Sequence, residues 1–514
     1  MRRRAPAVEG RGIGLAQTLS TLIERFHEID DLERAAGVLD WDQKTYMPMG
    51  GLSGRGEQLA SLGVVIHERL ASPELGELLD RLAEEVSEAP PDDLRRPFLR
   101  TARRAHDQAV KLTPSLVAKQ ARVSVQAYER WMAARKAKDF RIFAPAFTSV
   151  LDVSREMAEA LGYPQEPYDA LLDHAEQGMT AASAAQLLDE LKATLVPLIA
   201  RIVESPHQVD RSILFGHFPE EAQWRLMTEA VEAFGYDFGR GRLDRTIHPF
   251  ETSFGIGDVR ITTRVVESYF PAGLFGTMHE SGHGMYEQGL SAEWGRTPLG
   301  KPVSGGIHES QSRFWENFVG RSRAFWHYFL PRAQAAFPSL ADATAEDVYR
   351  AVSAVQPSFI RVEADEVTYN LHIAVRFEVE RALLRGELAV QDVPDAWNAK
   401  MQAYLGIAPP DDLLGALQDV HWTHDLGGFL TYTVGNVAGG QLWQAANRSI
   451  EDLSQRVGRG DFAPLLDFLR RNVHQVGSRE TRDDMLRHVT GEPLATRPYL
   501  EYIQAKFQDI YKLP

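Results

Sequence analysis

The chain has 514 residues, of which 44% are hydrophobic and 25% are charged, a balance typical of a globular protein. Its net charge of −15 argues against nucleic acid as the main partner, because a phosphate-binding surface favours an excess of Lys and Arg. No cysteine is present, which excludes disulfides, thiolate metal ligands and a cysteine nucleophile. We find no secretory-type apolar run near the start and no stretch of about 18 apolar residues, so we expect a cytoplasmic protein without a membrane span.

Helical apolar spacing dominates the first part of the chain. It predicts a helix over residues 15–39, which ends in the turn-rich segment 40–51. Amphipathic helices are then predicted over residues 75–86, 94–110, 116–131, 147–161 and 181–203.

The middle of the chain changes to a strand pattern. Residues 212–215 and 259–266 alternate and are β-branched, which predicts a small antiparallel sheet just before a helix over residues 271–289. A strand beside that helix would offer a free edge on which an extended peptide can be held.

The last part of the chain returns to helical spacing. Residues 294–306 are predicted as loop, residues 307–330 as a helix stopped by Pro331, and residues 367–384 and most of 413–514 as helical. We find no repeat and no Gly/Ser linker. The sequence therefore predicts one large, mainly helical domain over residues 15–514, after a flexible tail over residues 1–14.

The motif with the clearest chemistry is His279-Glu280-Ser281-Gly282-His283, a match to His-Glu-x-x-His. Residues four apart share one face of a helix, so both histidines would aim a ring nitrogen at one spot. Two neutral imidazoles with Glu280 beside them suit a zinc ion, its water and a proton acceptor. The competing interpretation is a pair of core histidines on a buried helix.

A catalytic zinc ion needs a third protein ligand and keeps a fourth position for water. Glu309 is the best candidate because it lies near the start of a second predicted helix. Its alternative interpretation is a solvated glutamate in a first helical turn, where negative charge is favourable. Spacing alone also leaves Glu287, Glu293 and Glu316 as alternatives for the third position.

Further motifs occur in a fixed order and span nearly the whole chain. They are His248-Pro249-Phe250, Asp258-Val259-Arg260-Ile261-Thr262, the zinc motif above, His308-Glu309-Ser310-Gln311, Ile360-Arg361-Val362-Glu363-Ala364-Asp365 and Gly415-Ala416-Leu417-Gln418-Asp419-Val420-His421-Trp422. In these motifs, and in Trp41-Asp42-Gln43 followed by Met47-Pro48, the chain resembles the carboxypeptidase Taq family of metallocarboxypeptidases.

This resemblance implies a zincin-type helical fold with the site at the bottom of a deep substrate groove. It implies His279, His283 and Glu309 as the metal ligands, the release of single C-terminal residues from peptides of broad sequence, and a homodimer. We therefore expect one zinc ion per chain, which cobalt could replace.

The reaction also needs a base, oxyanion donors and a cation. Glu280 is predicted to accept the proton of the attacking water. His421 and Tyr432 are candidate oxyanion donors, because their order resembles that of related helical zinc peptidases, although both could be structural.

Cleavage only at a C-terminus requires a cation that holds the free carboxylate. Arg361 is our first choice and Arg260 the second, each with an internal ion pair, to Asp365 or Asp258, as its alternative role. His248 could contact substrate or fix a strand.

Two other functions compete with a carboxypeptidase. An endopeptidase or a dipeptide-releasing peptidase would use the same zinc chemistry in a channel that stays open beyond the cleaved bond. A non-catalytic helical scaffold would have lost Glu280 or a ligand, and the sequence has lost neither.

Overall fold

The computed structural model describes residues 9–424 and 426–514, and their side chains from residue 17 onward. The first helix begins at Glu9, and residues 1–8 of the predicted tail lie outside the described residues. The tail and the single-domain organisation therefore stay predictions.

The described chain is mainly helical, as predicted. Before the sheet the helices are α1 (Glu9–Thr45), α2 (Leu52–Leu70), α3 (Pro73–Val86), α4 (Arg95–Lys111), α5 (Pro114–Ala137), α6 (Ala144–Leu161), α7 (Pro167–Ala175), α8 (Ala181–Glu204) and α9 (Glu220–Phe234). After it come α10 (Phe270–Gly289), α11 (Gly305–Arg313), α12 (Arg323–Ala336), α13 (Ala345–Val352), α14 (Tyr369–Arg385), α15 (Val393–Leu405), α16 (Leu430–Ser449), α17 (Leu453–Val457), α18 (Ala463–Leu469), α19 (Arg482–Thr490) and α20 (Arg497–Tyr511).

The sheet differs from the prediction in topology. Strand β1 (Gly241–Arg245) pairs in parallel with β3 (Val259–Thr263), and β2 (Glu251–Ser253) pairs antiparallel with the other side of β3. The sheet is therefore mixed, with β2 at one edge, because a crossover connection brings β1 and β3 together.

The predicted strand over residues 212–215 is wrong. Residues Ser212–Leu214 form a single 3₁₀ turn, and only Phe215 makes one bridge, to Tyr269. A short apolar run fits either a strand or a helical turn, because β-branched residues favour a strand only where another strand is available to pair with it.

The predicted helix over residues 307–330 is also divided. Helix α11 passes into a π-helical segment, Phe314–Gly320, and a new helix, α12, begins after Ser322, whose side chain caps the Phe325 amide at 3.1 Å. Helix α12 continues through Pro331 to Ala336, and its buried Phe329 and Leu330 flank the turn that the proline weakens. Tertiary packing thus overrides the proline stop.

Helix α10 lies at the centre of the main hydrophobic core. It packs against α9, α11 and β3, and most of its side chains are buried. A smaller core joins α1, α3 and α4 through Phe26, Leu79 and Phe98. Among the described helices, none combines the length and apolar character needed to cross a bilayer.

Candidate active site

Helices α10 and α11 bring three potential metal ligands to one point. The ligand atoms of His279, His283 and Glu309 all lie within 4.8 Å of one another. The Oε2 atom of Glu309 is 3.8 Å from Nε2 of His279 and 3.5 Å from Nε2 of His283. Two imidazoles and one carboxylate at this spacing fit a divalent ion with an open coordination position.

A charged network fixes the orientation of this group. His279 Nδ1 lies 2.9 Å from a carboxylate oxygen of Glu316, which leaves Nε2 to face the metal position. Arg313 donates from Nε to Glu309 Oε1 at 2.7 Å, which leaves Oε2 of Glu309 toward the histidines. The Arg313 guanidinium also donates to Glu316 at 3.3 Å and stacks over the Tyr369 ring at 4.2 Å.

Electrostatics favours the metal-binding protonation states of Glu309 and His283, whereas the carboxylates of Glu309 and Glu316 raise the pKa of His279 against its burial. Burial opposes charge on Glu309, but Arg313 and His279 hold the pKa of its carboxyl well below the usual range. The pKa of Glu316 is about 2, because its bonds to His279 and Arg313 outweigh burial. Burial and the neighbouring His308 lower the pKa of His283 to about 3, so its imidazole is neutral, as a ligand must be.

Glu280 has the properties of a general base. Its side chain is buried beside His279, and burial, with the negative charges of Glu309 and Glu316, raises its pKa to about 7. A carboxylate with a pKa near neutrality can both accept and return a proton.

The two competing carboxylates that the structure places beside a histidine have other roles. Glu316 bonds to the outer nitrogen of His279, and Glu287 lies 3.2 Å from Nε2 of His308. Glu293 follows α10 in a short 3₁₀ turn, Ala292–Trp294. None of the three belongs to the metal-binding group found in the described residues.

Glycines allow the helices around the ligands to approach closely. A Cβ atom on Gly282 would lie 2.5 Å from the Gln311 carbonyl oxygen, so glycine is needed where α10 crosses α11. A Cβ atom on Gly435 in α16 would lie 2.4 Å from Cγ of Glu309. Helix α16 therefore packs directly against Glu309.

We expect Gly435→Ala to destabilise the protein by about 1–3 kcal/mol and to weaken metal binding, because the added methyl group must displace Glu309. Thermal unfolding and a metal titration measure the two effects. The control is Gly63→Ala in α2, where a Cβ atom meets nothing within 4 Å and stability should stay equal or rise slightly. If Gly435→Ala kept the stability and metal affinity of the wild type, the close packing of α16 against Glu309 would not matter for either property.

A second polar cluster lies next to the metal ligands and contains Arg361. Its guanidinium donates two hydrogen bonds to Asp419, both at 3.0 Å, and one to the Tyr369 hydroxyl at 2.7 Å. The ion pair is thus with Asp419, and Asp365 instead accepts bonds from backbone amides. Tyr369 links the clusters, because its ring lies under Arg313 and its hydroxyl accepts from Arg361.

His421 and Tyr432 both border this cluster. His421 Nδ1 is 4.0 Å from Asp419, and the His421 and Tyr432 rings lie 6.4 Å apart. Burial and the charge of Arg376 lower the pKa of His421 to about 3, so the ring is neutral. Burial raises the pKa of Tyr432, so its hydroxyl stays protonated and can donate.

The remaining two predicted substrate residues occupy different surroundings. Arg260 donates twice to Asp258, both at 2.8 Å, and stacks over Trp41. It lies on the face of β3 opposite to Ile261, which packs against α10 at Gly284. His248 lies close enough to Arg264 and Arg361 that partial desolvation and these two charges lower its pKa.

Reasoning from sequence missed Arg313 and Tyr369, and it named Glu316 only as a competing metal ligand. Arg313 and Glu316 follow Glu309 at helical spacings of four and seven, a signal that could have linked them to the ligand. Tyr369 carries no such signal. Arg264, at the end of β3, is exposed and forms no ion pair within the described residues, which leaves it as a further cation near His248.

Known proteins match the chain over nearly its whole length. Residues 21–507 match the model of the carboxypeptidase Taq (M32) metallopeptidase family. Thermostable carboxypeptidase 1 of Thermus thermophilus is 44% identical over 95% of this chain and 98% of its own, and carboxypeptidase 1 of Bacillus subtilis is 37% identical over 94% and 97%. The crystal structure of an M32 carboxypeptidase from Deinococcus radiodurans superposes with a TM-score of 0.92 and 39% identity, over 96% of this chain and 100% of that one. The chain therefore belongs to the carboxypeptidase Taq (M32) family and is a metallocarboxypeptidase.

Proposed function

We propose that this metallocarboxypeptidase holds one zinc ion per chain on His279, His283 and Glu309 and releases single C-terminal residues from peptides of broad sequence. The convergence of these three donors within 4.8 Å is the observation that carries the proposal. Two imidazoles and a carboxylate are a common ligand set of catalytic zinc, and cobalt accepts the same donors.

Glu280 is the proton carrier of the reaction. A zinc ion bound at the site would supply Lewis acidity and lower the pKa of a bound water to about 7. Glu280 accepts a proton from the attacking water and returns it to the leaving amine. Its burial excludes competing solvent, and its pKa of about 7 matches both transfers.

His421 and Tyr432 donate hydrogen bonds to the oxyanion that forms during the attack. Neutral imidazole and protonated phenol are both donors at neutral pH, and both side chains border the cluster next to the metal ligands. Arg361 holds the substrate's terminal carboxylate, with Arg260 as the second candidate, and His248 contacts the substrate. Arg361 uses three of its five N–H groups on Asp419 and Tyr369, which leaves two for a substrate.

The test compares one peptide with a free and an amidated C-terminus, and mass spectrometry identifies the products. We expect the wild type to prefer the free acid by roughly 10-fold to 150-fold in kcat/KM, because a charge-assisted bidentate pair contributes about 1.5–3 kcal/mol. Equal rates on both peptides would instead favour an endopeptidase. A dipeptide as the first product would favour a dipeptide-releasing enzyme.

We expect Arg361→Lys to lose much of this preference while the rate on the amidated peptide changes little, since an ammonium cannot reproduce the guanidinium fork. Arg141→Lys is the matched control, because Arg141 is highly exposed and pairs only with Asp139 among the described residues. A preference that survives in Arg361→Lys would move the role to Arg260 or Arg264.

The homodimer implied by the family resemblance and the cytoplasmic location stay predictions. Sedimentation of the metal-loaded protein would test the homodimer by measuring its mass in solution.

A further inference from the structure

A second concavity, which we call the α4 cleft, lies between helix α4 and the ends of α3, α6 and α7. Its volume of about 670 Å³ lies within the range of roughly 300–1,000 Å³ that is usual for small-molecule sites. Its lining shares no residue with the metal ligands or with the cluster around Asp419.

One face of α4 gives this cleft its charge. Five cationic side chains follow helical spacing along that face and line the cleft: Arg96, Arg100, Arg103, Arg104 and Lys111. The four arginines are half-buried, whereas surface arginines away from partners normally extend into solvent. The opposite face of α4 holds the helix in place, because Phe98 and Ala102 are fully buried in the smaller core.

Backbone carbonyl groups, and not carboxylates, orient three of these cations. Arg96 donates to the Pro90 carbonyl at 3.0 Å, and Arg100 donates to the Ser478 carbonyl at 2.7 Å. Lys111 donates to the Leu161 carbonyl at 2.7 Å. A carbonyl oxygen positions a cation but does not neutralise its charge. Asp484 and Glu480 interact with Arg100 through charge alone, and Asp93 does so with Arg96.

Arg100 also has one N–H group that makes no hydrogen bond within the described residues. Its Nε atom is buried and has no hydrogen-bond partner in the described part of the chain. A buried donor without a partner is costly, and a bound oxyanion would satisfy it.

The cleft carries an excess of positive charge in an acidic protein. Its five cations face two lining carboxylates, Asp107 and Asp173, and Asp80 pairs with Arg103 from outside the lining. Counting the lining residues and the Asp80 pair, two positive charges remain, although the chain as a whole carries −15. Glu480 and Asp484 act on Arg100 from outside the lining. A concave surface of one sign concentrates field lines and attracts counter-charged ligands.

We propose that the α4 cleft binds a small organic molecule that carries two or more phosphate groups. Guanidinium forks match phosphate oxygens, and the excess charge favours a multiply charged anion. Leu99, Leu161 and Val86 line the same cleft and provide apolar contact for an organic body. The peptidase reaction has no use for such a ligand, so the proposal is independent of the metal site.

Isothermal titration of the metal-loaded protein with fructose 1,6-bisphosphate tests the proposal, with fructose as the uncharged control. We expect binding of the bisphosphate only, and weaker binding when salt rises from roughly 50 to 200 mM. Arg100→Gln and Lys111→Gln should each raise Kd by roughly 10-fold, since each removes one charge-assisted contact. Lys111 lies at the exposed end of α4, so its variant keeps the test valid if Arg100→Gln folds poorly.

Arg130→Gln is the matched control, because Arg130 is an exposed arginine on the neighbouring helix α5 and does not line the cleft. It should leave Kd unchanged. No binding by the wild type up to about 10 mM bisphosphate would overturn the proposal. Equal weakening by Arg130→Gln would also overturn it, since net charge alone would then explain the binding. Peptidase rates of the same preparations without bisphosphate report separately on the metal site.

Discussion

Glu280→Gln should abolish nearly all turnover while leaving metal binding intact. The amide has the size of the carboxylate but cannot accept a proton, and loss of a general base typically lowers the rate by roughly 100-fold to 10,000-fold. Glu280 is not part of the metal-binding group, so the metal content per chain should equal that of the wild type. Initial rates on a free-acid peptide and elemental analysis of the same sample measure the two quantities.

The control for this variant is Glu229→Gln. Glu229 is an exposed glutamate on α9, the helix that packs beside α10, and its partner Arg225 is 4.0 Å away. Its rate should match the wild type, because an exposed pair of this kind contributes little. Turnover retained by Glu280→Gln would mean that another group activates the water.

Glu309→Ala should lose the metal. The substitution removes one of three donors and leaves the buried Arg313 with Glu316 as its remaining carboxylate partner. Mutation of a residue that only hydrogen-bonds a metal ligand typically lowers metal affinity roughly 10-fold to 100-fold. We therefore expect the loss of a ligand itself to weaken metal binding by more than about 100-fold. Competition with a chromogenic chelator measures the affinity, and circular dichroism checks that the variant is folded.

Glu316→Gln provides a graded comparison for Glu309→Ala. It keeps all three donors but weakens the bond that orients His279, together with the contacts of Glu316 to Arg313 and Arg321, so its affinity should fall by roughly 10-fold to 100-fold. A Glu309→Ala protein with wild-type affinity would remove Glu309 from the ligand set. Full activity of the wild type after exhaustive chelation would remove the metal from the reaction altogether.

Local periodicity predicted the helix that carries the histidines. The bounds 271–289 agree with α10 to within one residue, and the spacing of four between His279 and His283 places both rings on one face, as expected. These features depend on neighbours within one or two turns, and short-range geometry is largely independent of the rest of the fold. Recognition of the family, which the comparisons confirm, depended on motif order over the whole chain.

Local periodicity could not predict which distant segments of the chain pair with one another. The parallel pairing of β1 with β3 and the π-helical segment depend on how the surrounding helices pack. Nothing local in residues 241–245 or 307–330 indicates either of them. The fork of Arg361 could be predicted to meet a carboxylate, but Asp365 is four residues away and Asp419 is 58. Sequence proximity favoured the wrong partner, because the chain returns to this point only after α14 and α15.

The sequence by itself determined the helical class, the absence of thiol chemistry, the metal helix with its two histidines and Glu280, and the family. Spacing left Glu287, Glu293 and Glu316 open beside Glu309, and the family resemblance implied Glu309. Tertiary structure, through α11 and the π-helical segment, places Glu309 beside both histidines. It also decided that Arg361 and Arg260 each face an aspartate, and that a stripe of arginines on α4 lines a cleft. The physical reason is range: helix periodicity acts over a few residues, whereas ligand sets, ion pairs and cavities are contacts between segments that only the folded chain brings together.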